Sequence, residues 1–154
     1  MRRYAQNTKV TSDKSRAEIE HLLTNYGADQ FLYGWDGDAA VIGFRHKNRS
    51  IRFHLPSANR EDYRKTAGRV TRTEVQLDAV MAKERKRRWR ALALAIKAKL
   101  EACATGIATF EDEFLAYTVL PNGQTMSQWV SPQLKEAYEN GKMPVGLLPA
   151  WKGK

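Results

Sequence analysis

The stretch QFLYGWDGDAAVIGFRHKNRSIRFHL, residues 30–55, decides the fold class. Aromatic and β-branched residues alternate in it with small or polar ones, and turn-forming residues break the run twice, so it reads as a three-stranded antiparallel meander. Asp36-Gly37 is a two-residue hairpin signal, and Lys47-Asn48-Arg49-Ser50 forms a second, looser turn. With Asp36-Gly37 in the turn, Tyr33 is expected opposite Ala40 and Phe31 opposite Ile42. Phe31, Tyr33, Trp35, Ile42 and Phe44 then share one side, joined by Ile51, Phe53 and Leu55. Leu32, Gly34, Val41, Gly43, Arg45, Arg52 and His54 take the other side, a flatter surface with a basic edge.

Upstream, Ile19, Leu22, Leu23 and Tyr26 recur at helical spacing. Ser12, or Ser15 with Glu18 in a capping box, is the expected helix start, and Gly27 is the stop. Residues 1–11, with Arg2 and Arg3, read as a short basic arm. This first helix is expected on the aromatic side of the sheet.

Downstream, residues 56–72 form a polar connection without a clear period, expected to be mobile and made basic by Arg60, Arg64, Lys65, Arg69 and Arg72. Thr73 then caps a long helix reaching about Thr105, with Leu77, Val80, Met81, Trp89, Leu92, Ile96, Leu100 and Cys103 as its apolar stripe and Gly106 as its end. A helix of that length spans roughly 50 Å, so a projecting end or a bend is expected. Thr109 caps a short third helix whose first turn holds Glu111, Asp112 and Glu113. The last helix begins at Thr125 or Ser131, turns Trp129, Leu134 and Tyr138 inward, and stops at Gly141. A tail, residues 142–154, is expected to anchor through Leu147, Leu148 or Trp151. The whole is one α+β domain.

A chain of 154 residues, 42% hydrophobic with four Trp, is long and apolar enough to fold around one core. Its single cysteine, Cys103, cannot form an internal disulfide, no leader pattern opens the sequence, and no apolar run is long enough for a spanning helix. These features predict a soluble protein of a reducing cytoplasm, without a membrane partner.

Charge is the strongest functional signal. Residues 1–100 carry a net charge of +11, and residues 101–154 a net charge of −2. Such asymmetry is the footprint of a polyanion binder. It peaks at Lys83, Arg85, Lys86, Arg87, Arg88 and Arg90, six cations within eight residues, whose mutual repulsion a row of phosphates would relieve while releasing counterions. The predominance of Arg suits bidentate phosphate contact. Arg45 and Arg52 on the sheet, with Arg64 and Lys65 on the connection, are expected to extend this surface. Trp89, inside the run, keeps helical spacing with Leu92 and Ile96 and is assigned to the core rather than to base stacking. Burying the sheet aromatics leaves no stacking platform on the sheet, which favours backbone contact over base reading.

No reaction is legible. His21, His46 and His54 lack the spacing and cysteine partners of a zinc site, so no metal or cofactor is implied. Asp36 and Asp38 belong to turn chemistry, and Glu111, Asp112 and Glu113 to a helix start, which leaves a magnesium-dependent nuclease as a minor reading. No glycine-rich phosphate loop or nucleophile motif is present.

The stretches Lys14 to Glu20, Tyr26 to Asp29, Arg88 to Leu94 and Leu120 to Gly123 resemble small uncharacterised proteins encoded in tailed-phage and prophage genomes, across nearly the whole chain. The resemblance implies an accessory protein of the bacterial host cytoplasm, acting in DNA metabolism or host takeover, and supplies no functional residues. The α-β-β-β-α order of residues 12–105 is also similar to the double-stranded-RNA-binding domain, from which the long 56–72 connection and the late basic cluster depart. The leading expectation is therefore a phosphate-backbone binder of nucleic acid, DNA rather than RNA. The alternative is an interaction module that inhibits or redirects a host or anti-phage defence protein through the basic helix or the region of Trp151. A homodimer through the long helix accompanies either.

Overall fold

Two tight turns set the sheet. The structure, a computed structural model, describes residues 2–144, with side chains from Asp13 onward. Strands β1 (Gln30–Asp36), β2 (Ala39–His46) and β3 (Arg49–Leu55) form an antiparallel meander in the order β1-β2-β3. Asp36 pairs with Ala39, so the first loop is Gly37-Asp38, with Gly37 at φ 60° in the position where a II′ turn takes glycine. Tyr33 consequently faces Ile42 and Phe31 faces Phe44, not Ala40 and Ile42 as expected. The shift is two residues, so every side chain keeps its expected face. The second turn is tighter than expected: His46 pairs with Arg49 around Lys47-Asn48, at φ 46° and 64°, the double left-handed signature of a I′ turn.

The fold class is α+β, an N-terminal helix, the meander, a long helix and shorter C-terminal helices. Ala40, Ile42, Phe44, Ile51 and Phe53 floor the core. Helix α1 (Arg2–Tyr26) contributes Ile19 and Leu23, and α2 (Glu74–Ala104) contributes Trp89, Ala93, Ile96 and Leu100. Phe110 and Phe114, in contact at 4.7 Å between ring centroids, close the far end. The two long helices run in the same direction. Tyr26 meets Cys103 near their C-terminal ends, while Arg16 and Trp89 meet Tyr33 at 4.6 and 5.8 Å. Helix α1 thus accompanies the long helix expected to project. It also begins at Arg2, so residues 2–11 of the expected arm are helical; that stretch holds neither Pro nor Gly to stop a helix growing from its packed half.

The connection over 56–72 owes its order to side chains, which is why no period marks it. Asn59 caps a 3-10 turn, Arg60–Tyr63. Lys65 bridges to Thr71 around Arg69 at φ 62°, and Arg72 donates to the carbonyls of Tyr63 and Lys65 at 2.6 and 3.0 Å. Arg60 spans Glu74 (2.8 Å) and Asp78 (2.6 Å), and Arg64 pairs with Glu61 (2.8 Å) and Glu74, fastening the loop to the first turns of α2. Thr73 starts that helix with a reciprocal capping box to Gln76.

After α2, Thr109 caps α3 (Phe110–Glu113) and a 3-10 turn, Leu115–Tyr117, follows. Val119 donates its N–H to Ser50 O at 2.8 Å and Thr118 bridges to Ile51, so this segment covers the outer edge of β3. Helix α4 (Met126–Asn140) starts at Thr125, carries Pro132 in its interior and ends on Gly141 at φ 70°. It buries no residue: Leu134 and Tyr138, expected to face inward, are exposed, because α4 packs on the short Leu115–Tyr117 turn rather than on the main core. The anchors expected at Leu147, Leu148 and Trp151 lie outside the described residues. No described helix is long and apolar enough to cross a membrane.

Candidate nucleic-acid interface

The rotation of α2 is fixed by what it buries. Leu77, Met81, Trp89, Ala93, Ile96 and Leu100 turn inward, with Trp89 only 1% exposed. At about 3.6 residues per turn, Lys83, Lys86, Arg87, Arg90 and Lys97 must then fall on the opposite side. All five are exposed. They form a stripe of roughly 20 Å along the helix. Among the described residues, Lys83, Lys86, Arg90 and Lys97 have no ion-pair partner. Lys97 is absent from the sequence reading because it lies beyond the dense run; its spacing of seven from Arg90 is the signal that places it on the same face.

The other members of the run are held by the protein. Glu84, 8% exposed, accepts from Arg87 at 2.8 and 2.7 Å and from Arg88 at 3.1 Å. The Arg87 guanidinium, with Arg88 behind it, holds the Glu84 carboxyl at about 2, against the pull of burial. Arg88 also donates to Pro56 O at 2.7 Å. Arg85 and Arg88 turn towards the first hairpin, where they line a small cleft with Trp35, Leu55, Pro56 and Met81. The dense run therefore divides into an outward stripe, a paired but 73% exposed Arg87, and an inward-leaning pair.

Arg45 and Arg52 do not extend this stripe. Strand alternation puts them on the open face of the sheet, and the helices cover the other. There Arg45 makes a two-pronged pair with Asp29, at 3.1 and 2.9 Å, which lowers the Asp29 carboxyl. Arg52 donates to Gly123 O at 2.7 Å and to Gln128 Oε1 at 3.3 Å, while its Nε is buried without a partner. His54 approaches Asp36 at 3.7 Å. Arg45, Arg52 and His54, with Leu32, Val41 and Gly43, line an open concavity of about 700 Å³. Arg64 is spent on Glu61 and Glu74, and Lys65 is exposed on the connection. The single basic surface expected from the sequence is thus two surfaces, on opposite sides of the sheet.

No family model, curated protein or solved structure matches the chain.

Proposed function

We propose that this protein binds nucleic acid through the phosphate backbone, along the outer face of α2. The observation that supports this reading is the stripe Lys83, Lys86, Arg90 and Lys97, four exposed cations without a carboxylate partner among the described residues, with Arg87 beside them. Repulsion along such a row is relieved by an equally regular row of negative charge. Binding would release the counterions of four or five phosphates, which predicts a log–log salt slope of about −4 for duplex DNA. The resemblance to phage-encoded proteins supports DNA as the polymer and the bacterial cytoplasm as the setting. It also supports an accessory role in DNA metabolism. The charge of the stripe disfavours α2 as a dimer interface, since a two-fold contact would set these lysines against their own copies.

Fluorescence anisotropy of the purified chain with labelled single-stranded DNA, duplex DNA and RNA, over a salt series with and without magnesium, tests this. Submicromolar binding that weakens steeply with salt is the expected result. Binding insensitive to salt would overturn it.

A second reading, a module that docks on a host or defence protein, draws support from α4. That helix buries none of its residues and leaves Leu134 42% and Tyr138 89% exposed. Retention of one host protein by the native chain, lost on Tyr138→Asp, is its expected signature.

A further inference from the structure

Trp35 is 54% exposed, although strand alternation places it on the same side of the sheet as the aromatic core. It stands at the end of β1, edge-on to Tyr33 with centroids 5.6 Å apart. Beside it lie Arg85 and Arg88 of α2, across a cleft whose void is about 30 Å³. What the site offers is the exposed Trp35, next to the guanidinium groups of Arg85 and Arg88.

We propose, building on the nucleic-acid reading above, that the ligand is a single strand and that Trp35 stacks on one of its bases. Exposed indole is costly in water, and an unpaired base covers it whatever its sequence, while cations alongside take the phosphates. A base-paired duplex keeps its bases stacked on each other and has no free face to offer. Arg88, beside Trp35, and Arg87, on the exposed side of α2, share the Glu84 carboxylate, so two cations lie between Trp35 and the stripe. Trp89, the other tryptophan of this helix region, is buried and unavailable. Tyr138, the other exposed aromatic among the described residues, lies on α4, which carries one lysine against two glutamates and offers phosphates little.

The test is affinity of the full chain, at one fixed salt concentration, for three labelled probes of equal length. These are a single strand with bases, an abasic strand of the same sugar-phosphate backbone, and a duplex. The native chain is expected to bind the base-bearing single strand about tenfold or more tightly than the abasic one. Trp35→Leu is expected to lower the first affinity to the level of the second, and Trp35→Phe to retain part of the difference. Equal binding of the two strands by the native chain, or a full preference surviving in Trp35→Leu, would overturn the stacking while leaving backbone binding intact. Tighter binding of the duplex would do the same. Failure to bind any of the three would overturn both proposals together.

Discussion

Arg87 grips Glu84 with both arms of its guanidinium, Nε to Oε2 at 2.8 Å and Nη2 to Oε1 at 2.7 Å, three residues apart on one helix. The carboxylate is almost buried and the arginine 73% exposed. A phosphate approaching Arg87 therefore competes with Glu84. Converting Glu84→Gln should move stability and binding in opposite directions. Loss of the charge-assisted hydrogen bonds is expected to cost about 2 kcal/mol in urea unfolding. Release of Arg87 should raise affinity at low salt and steepen the salt slope by about one unit. A fall in both would mean that the pair shapes the binding surface rather than restraining it.

The same carboxylate makes stability depend on acid. With Glu84 held at about 2 when folded, the unfolded chain, with an ordinary carboxyl, takes up the proton first as pH falls. Its contribution is complete above about pH 4.5 and is lost as the pH drops towards 2. Glu61, Glu74 and Asp29 are lowered in the same direction by their arginines. Urea midpoints measured across that window should decline for the native chain and decline less steeply for Glu84→Gln.

Arg60 and Arg64 are structural cations. Both end on Glu74, and Arg60 reaches Asp78 as well. Replacing either by Ala should loosen the loop from α2 and speed proteolytic cleavage within residues 56–72, while leaving the salt slope of nucleic-acid binding near its native value. A slope flattened as much as by Lys86→Glu would show that this loop carries phosphate contacts.

His46 ties α1 to the sheet. Its Nδ1–H donates to the Gly27 carbonyl, the two atoms 3.1 Å apart, and its ring rests on Tyr26 and Phe110 at 5.0 and 4.8 Å. Gly27 itself sits at φ 111°, open to glycine alone at little cost. His46→Ala, which removes both packing and the hydrogen bond, is expected to lower stability by about 2–4 kcal/mol in thermal unfolding. Nucleic-acid affinity of the folded fraction should be retained.

The face assignment of the sheet was legible because strand alternation survives an error of two in register. The register was not, since Asp36-Gly37 and Gly37-Asp38 are both acceptable loop pairs and only the backbone at Gly37 chooses between them. The helix pattern marked α4 as amphipathic but carried no information on how little would cover Leu134 and Tyr138. Likewise, the density of cations on α2 was plain from residues 83 to 90, but their division was not. Glu84 reads there as one acid among many cations, whereas its burial binds Arg87 and Arg88 to the protein and leaves Lys83, Lys86 and Arg90 outward. Trp35 shares an alternation with the buried aromatics, which gives no sign of its 54% exposure.

Contact between phosphates and the outward stripe of α2 is what we propose. Its most direct test compares the salt slope of DNA binding by the native chain with that of Lys83→Glu/Lys86→Glu/Arg90→Glu, a variant whose changes touch no described ion pair. The variant is expected to unfold like the native chain, with a slope reduced by about three units and an affinity at low salt lowered at least a hundredfold. An unchanged slope in a variant that folds normally would contradict it.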